Sequence, residues 1–156
     1  MAFPGSERGS ESSAAGMMPG TVPVRISPGD LIDRITILEI KLRRMHDPGV
    51  LGQIREQLAH LWTVRNAYIP ASETVSALTS DLLALNEELW DIEDVLRRHE
   101  SAGRFGDDFI QAAVRVRRTN DLRCVCKRNI DVFLGSAFRE EKLYAGRPLG
   151  APSGLP

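Results

Sequence analysis

Between residues 31 and 134 apolar side chains recur three and four apart, the period of an amphipathic helix. No stretch alternates with period two over the length of a strand. Ser27-Pro28-Gly29-Asp30 is a helix start, with Ser at the N-cap, Pro at the first helical position and an acid able to close a capping box. Behind it Leu31, Ile35, Leu38, Leu42 and Met45 form one stripe, while Ile37 and Ile40 lie on the opposite side. Apolar residues on both sides predict a central helix, or one shared with a partner. Asp47-Pro48-Gly49 ends it with turn chemistry.

A second helix is predicted over Val50 to Ala67, carrying Leu51, Ile54, Leu58, Leu61 and Trp62 on one side and closed by Pro70. The third, Thr74 to His99, has the most regular seam: Leu78, Leu82, Leu85, Leu89, Ile92 and Leu96. At about 1.5 Å per residue it would be about 39 Å long. Gly103 and Gly106 bracket a short connection. The fourth, Asp107 to Leu134, places Phe109, Ala112, Ala113, Val116, Cys126, Ile130 and Phe133 inward. Gly135-Ser136 is expected to open a short last helix ending near Tyr144. The pattern predicts an all-α fold, an antiparallel bundle of four main helices plus a short C-terminal helix.

Gly and Pro crowd both ends of the 156-residue chain, which divides it into a disordered leader (1–26), one helical domain (27–144) and a disordered tail (145–156). Roughly 115 residues suffice for one core and not for two. The leader has no apolar core of a secretory signal, and Cys124 and Cys126 are the only cysteines, so the expected compartment is the cytoplasm. No apolar run approaches the ~20 residues of a membrane span. With 20 basic and 21 acidic side chains the net charge is −1, which recommends neither nucleic acid nor an anionic membrane as partner.

Charge is nevertheless sorted between the two long helices. Ala67 to Leu96 holds seven acids and no base, and Phe109 to Ile130 holds six bases against the single acid Asp121. Laid side by side, they set Glu87, Trp90 and Asp91 level with Arg115 to Thr119, and Asn86 near Asn120 and Arg123. The seam of the fourth helix runs from apolar ends into Asn120, Arg123 and Lys127 at its middle. A charge in such a place is costly unless it is paired or faces a wet pocket. Interhelical ion pairs and a functional pocket both answer that description.

The pocket reading assigns Arg118, Arg123 and Lys127 to a phosphate or carboxylate, for which Arg offers a bidentate fork. Asn86 and Asn120 would orient the ligand and Trp90 would stack on it. Glu39, Glu87 or Asp91 would act as base. Glu87, Asp91 and Asp94 share one helical face, a ledge that could hold Mg²⁺, although no cofactor is required. Such ledges resemble those of helical nucleotide pyrophosphohydrolases, with Glu39 alone to supply a second helix. No nucleophile triad, Gly-rich phosphate loop or zinc spacing is present, so whether there is a reaction at all stays open.

Four blocks of the chain are similar to the motifs of a family of small bacterial proteins catalogued as a domain of unknown function. They are Ser27-Pro28-Gly29-Asp30 running through Leu31-Ile32-Asp33-Arg34-Ile35-Thr36 to Leu42, then Asn86-Glu87-Glu88-Leu89-Trp90-Asp91-Ile92-Glu93-Asp94, then Arg118-Thr119-Asn120-Asp121-Leu122-Arg123 with Lys127, and Glu140-Glu141-Lys142-Leu143-Tyr144. The resemblance implies an all-helical cytoplasmic protein whose relatives often stand beside glycan or surface-polysaccharide functions. It implies no reaction. The expectation is therefore a bundle that binds, and acts on if it acts at all, a small anionic molecule such as a sugar phosphate or nucleotide sugar. The alternatives are a non-enzymatic module that forms a homodimer or docks on a biosynthetic enzyme through Ile37, Ile40 and the third helix, and a Mg²⁺-dependent phosphohydrolase.

Overall fold

A computed structural model describes residues 22–138, together with the backbone of two short strands at 143–144 and 147–148. The leader up to residue 21 and most of the tail lie outside the described residues. Four helices carry the fold: α1 (Pro28–Arg44), α2 (Pro48–Tyr68), α3 (Glu73–Ser101) and α4 (Asp107–Phe133). After them, β1 (Leu143–Tyr144) pairs antiparallel with β2 (Arg147–Pro148).

The first three helices start on side-chain caps, whereas α4 starts at Gly106 without one. Ser27 Oγ accepts the Asp30 N–H at 3.1 Å, Asp47 Oδ1 accepts from Gly49 and Val50 at 2.9 and 3.0 Å, and Ser72 Oγ accepts from Val75 at 3.1 Å. The Asp47-Pro48-Gly49 turn thus both follows α1 and caps α2, which is why α2 begins earlier than the spacing of its leucines predicts. Gly135 ends α4 and does not open another helix. Its φ is 64°, its N–H bonds the Val132 carbonyl at 3.1 Å, and the Ser136 N–H reaches back to the Asp131 carbonyl at 2.9 Å. That is a Schellman stop, which needs the left-handed conformation that glycine adopts without strain. The expected short helix from Gly135 to Tyr144 is therefore corrected: residues 134–135 form a turn, 136–138 are not helical and 143–144 form a strand, while 139–142 lie outside the described residues.

α3 and α4 form the long hairpin, antiparallel through Cys126 Sγ–H to the Leu78 carbonyl (3.4 Å) and Arg115 to Glu88 (2.9 Å). α1 lies against both of them and α2 packs on α1. α1 is thus the central helix, buried at Leu31, Ile32, Ile35, Leu38 and Ile40. Its two apolar sides are both used inside the chain, so Ile40, 1 % exposed, offers nothing to a partner. The core joins Leu31, Ile32 and Ile35 to Ile69, Val75, Leu82, Cys126 and Ile130, with Leu58, Leu61 and Val64 of α2 packed at its edge. A buried Leu or Ile contributes roughly 1.5–3 kcal/mol. Ala113, Phe133 and Trp62, expected inward, are on the surface.

Candidate functional site

The middle of α4 meets α1 and α3 in a layer of polar side chains. α1 brings Ser27, Asp30, Asp33 and Thr36, α3 brings Asn86, and α4 brings Thr119, Arg123, Lys127 and Asp131. Spacing explains the set. On α4, Arg123, Lys127 and Asp131 follow one another at steps of four, and on α1 Asp30, Asp33 and Thr36 follow at steps of three, so each set lies on one face.

The contacts cross between helices. Asp33 sits at the centre: its Oδ1 accepts from Asn86 Nδ2 at 2.8 Å, and its Oδ2 faces Arg123 Nη2 at 3.4 Å. The same Asn86 amide donates to Thr36 Oγ1 at 2.9 Å, and the Thr36 hydroxyl donates to the Asp33 carbonyl at 2.8 Å. One turn toward the start of α1, Lys127 Nζ bonds Asp30 Oδ1 at 3.0 Å, and the lysine side chain is only 7 % exposed. At the end, Asp131 Oδ1 accepts the Gly29 N–H at 2.7 Å. Gly29 is there because nothing larger fits: a Cβ would lie 2.5 Å from the Lys127 carbonyl oxygen and 3.0 Å from Asp131 Oδ1.

Asp131 is fully buried, and its Oδ2 finds no hydrogen-bond partner among the described residues. Burial raises its pKa above the ordinary carboxylate value. The Gly29 N–H, the nearby Ser27 hydroxyl and Lys127 partly offset this, and Asp30 adds to it. The layer thus sets two cations, Arg123 and Lys127, among three carboxyl groups, Asp30, Asp33 and Asp131.

Of the residues singled out from the sequence, Asn86, Arg123 and Lys127 come together here. Asn120 and Trp90 are half-buried, one turn from Arg123 and Asn86 respectively. Arg118 is exposed and lies on a different face of α4. The acids of α3 go elsewhere: Glu87 pairs with Arg43 at 2.7 Å, Asp91 with Arg44 at 2.8 Å, and Asp94 with its neighbour Arg97. Arg115 meets Glu88, not Glu87 or Asp91. Glu39 is on the α2 side of α1, where burial raises its pKa while an indole hydrogen bond from Trp62 and the charge of Arg43 pull it down. Among the described residues no group of three or more His, Cys, Asp or Glu is placed to hold a metal ion. Cys124 is half-buried, and burial pushes Cys126 up to about 11, which leaves it unreactive as a nucleophile near neutral pH.

Sequence reasoning passed over Asp131 and Thr119 and gave Asp33 and Thr36 no role. The signal was available in the step of four from Arg123 through Lys127 to Asp131. What it lacked was the knowledge that α1, not α3, supplies the carboxylates.

Comparison with known proteins adds one family. The model of a family of unknown function (DUF6165) matches residues 22–155, and the chain belongs to that family. No curated protein and no solved structure matches it. Among the described residues no helix is long and apolar enough to cross a membrane.

Proposed function

We propose that this member of a family without assigned activity is a non-enzymatic helical module, in which the charged layer locks α1 across the α3–α4 hairpin. One observation carries the reading. Both cations of the layer are already matched by a carboxylate from another helix, the buried Lys127 by Asp30 and the half-buried Arg123 by Asp33, and Asn86 is spent on Asp33 and Thr36. An anionic ligand at Arg123 would have to displace Asp33 and leave that buried carboxylate without its cation, which is expensive. The setting we assign, bacterial glycan or secondary-metabolite biosynthesis, rests on the motif resemblance. The cytoplasm is supported by a cysteine count of two, too few for an extended disulfide framework.

A single observation favours a second reading, in which the layer binds a small polar anion. Arg123 is 27 % exposed, and its buried Nε has no acceptor among the described residues. Arg123 would hold the anion and Asn120 would orient it from one turn away. Glu87, Asp91 and Asp94 offer a metal less, because Mg²⁺ would compete with Arg43, Arg44 and Arg97 for them.

A thermal-shift panel of sugar phosphates, nucleotide sugars, nucleotides and divalent metals separates the readings. A ligand at a hundredfold excess over its dissociation constant stabilises by about 2.7 kcal/mol, which is readily seen. The module reading expects no shift. A shift that disappears in a folded Arg123→Met variant overturns it and establishes the anion site.

A further inference from the structure

The hairpin of α3 and α4 has two faces, and only one is covered by α1. The other is a groove of about 410 Å³ lined, among the described residues, by α3 and α4 alone, with Leu78, Ala84, Leu85, Leu122 and Val125 as its apolar part and Asp81 and Glu88 on the α3 rim. α2 would close this face in a four-helix bundle of the usual kind, but here it packs on α1.

The face is complementary to itself in two respects. In shape it offers a knob and a recess together: Leu122 stands 56 % exposed, and the small side chain of Ala84 opens the groove beside it. In charge it carries Asp81 on α3, and on α4 Arg118, one turn before Leu122 on the same face. Neither forms an ion pair among the described residues, whereas the second acid of the rim, Glu88, is held by Arg115. A surface that carries both halves of its own match is what a two-fold contact requires.

We propose that this face docks a second copy of the chain about a two-fold axis parallel to the helices. The inference rests on the module reading of the protein. The symmetry sets α3 of one copy against α4 of the other, running antiparallel. Leu122 enters the partner's groove, and the acidic rim of α3, Asp81 and Glu88, lies along the partner's basic rim of α4, Arg115 and Arg118. An axis perpendicular to the helices would instead set α3 on α3 and acid on acid, which like-charge repulsion disfavours. The available area is sufficient: two helices about 40 Å long and about 10 Å wide present roughly 800 Å² per copy, the size of a standard interface.

Sedimentation velocity of the full chain from about 1 to about 100 µM tests this. The wild-type chain is expected to pass from monomer to dimer in that range. Leu122→Glu is expected to stay monomeric with an unchanged circular-dichroism spectrum and an undiminished monomer melting temperature. Asp81→Lys and Arg118→Asp each weaken the dimer by about tenfold, and mixing the two variants restores association as a heterodimer. A wild-type chain that remains monomeric throughout, a Leu122→Glu variant that dimerises like wild type, or a mixture that gains nothing over either charge variant overturns the proposal. None of these substitutions touches the layer around Asp33, so a failure here leaves the module reading standing. A ligand shift lost with Arg123→Met removes that reading whatever the sedimentation shows.

Discussion

α1 makes two seams of opposite character. Toward α2 it meets Leu58, Leu61 and Val64, and there Glu39 takes a hydrogen bond from the Trp62 indole. Toward α4 it meets Lys127, Arg123 and Asp131 through Asp30, Asp33 and the bare backbone of Gly29. Apolar contact is tolerant of small slides, because one leucine replaces another in a groove with little loss. A ladder of charge pairs with a backbone contact at its end is satisfied in one register only. The first seam supplies burial, and the second decides where α1 lies along the hairpin.

The largest break in this contrast is Gly29→Ala. The added methyl meets the Lys127 carbonyl, which belongs to a helix backbone and cannot swing away, and the Asp131 oxygen that Gly29 itself binds. We expect a loss of about 2–3 kcal/mol in urea denaturation. A cost below about 0.5 kcal/mol would mean that α1 and α4 are not in close backbone contact.

Next is Asp33→Ala. It strips Arg123 of its ion pair and Asn86 of one of its two acceptors. Arg123 is partly solvated, so the cost is discounted to about 2 kcal/mol. The informative companion is the triple variant Asp33→Leu, Asn86→Leu, Arg123→Met. Replacing a whole buried polar set by apolar groups is often neutral or stabilising, so the triple variant should be at least as stable as Asp33→Ala. If it is less stable, the layer contributes net stability and not mainly register.

How much of this could be read from the chain depends on what each feature needs to know. Helix ends needed only their neighbours: Ser27-Pro28-Gly29-Asp30 and the glycines near 103 were legible because caps and stops are local. Gly135 misled because a glycine that ends one helix and a glycine that opens the next look the same, and only the left-handed φ tells them apart. Asn86, Arg123 and Lys127 were legible as polar residues in an apolar seam. Their partners were not, because charge sorting between α3 and α4 suggested a two-helix match, while the third body, α1, takes both cations. Arg118 and Asp91 share that sorting and lie outside the layer, since helical phase alone does not say which neighbour a face meets.

A smaller effect sharpens the comparison through pH. The raised pKa of Asp131 means that the native state holds a proton which the unfolded chain releases at about pH 4. Its contribution is full below that point and is lost as pH rises through the raised native value. Asp131→Asn keeps an oxygen for the Gly29 N–H and removes the ionisation. Its melting temperature should equal wild type near pH 4 and exceed it near pH 8. A variant less stable than wild type near pH 8 would show that the carboxylate is held charged by Lys127 after all. Glu39 is raised by burial in the same direction on the other seam, so Glu39→Gln is the control: it flattens the remaining fall without touching α4.

The smallest expected effect has the opposite sign and lies on α2. Gly52 is inside that helix, exposed, with nothing within 4 Å of the position its Cβ would take. Glycine in a helix interior costs about 0.5–1 kcal/mol relative to alanine, because the unfolded chain has more freedom to lose. Gly52→Ala should therefore stabilise by about that much, read as a higher urea midpoint with an unchanged slope. The same substitution at Gly29 and Gly52 then moves stability in opposite directions, within two helices that both pack on the same core. The sign depends on what stands opposite each glycine: at Gly29 a carbonyl from the register-setting seam, at Gly52 water. A destabilising Gly52→Ala would place a neighbour against the outer face of α2.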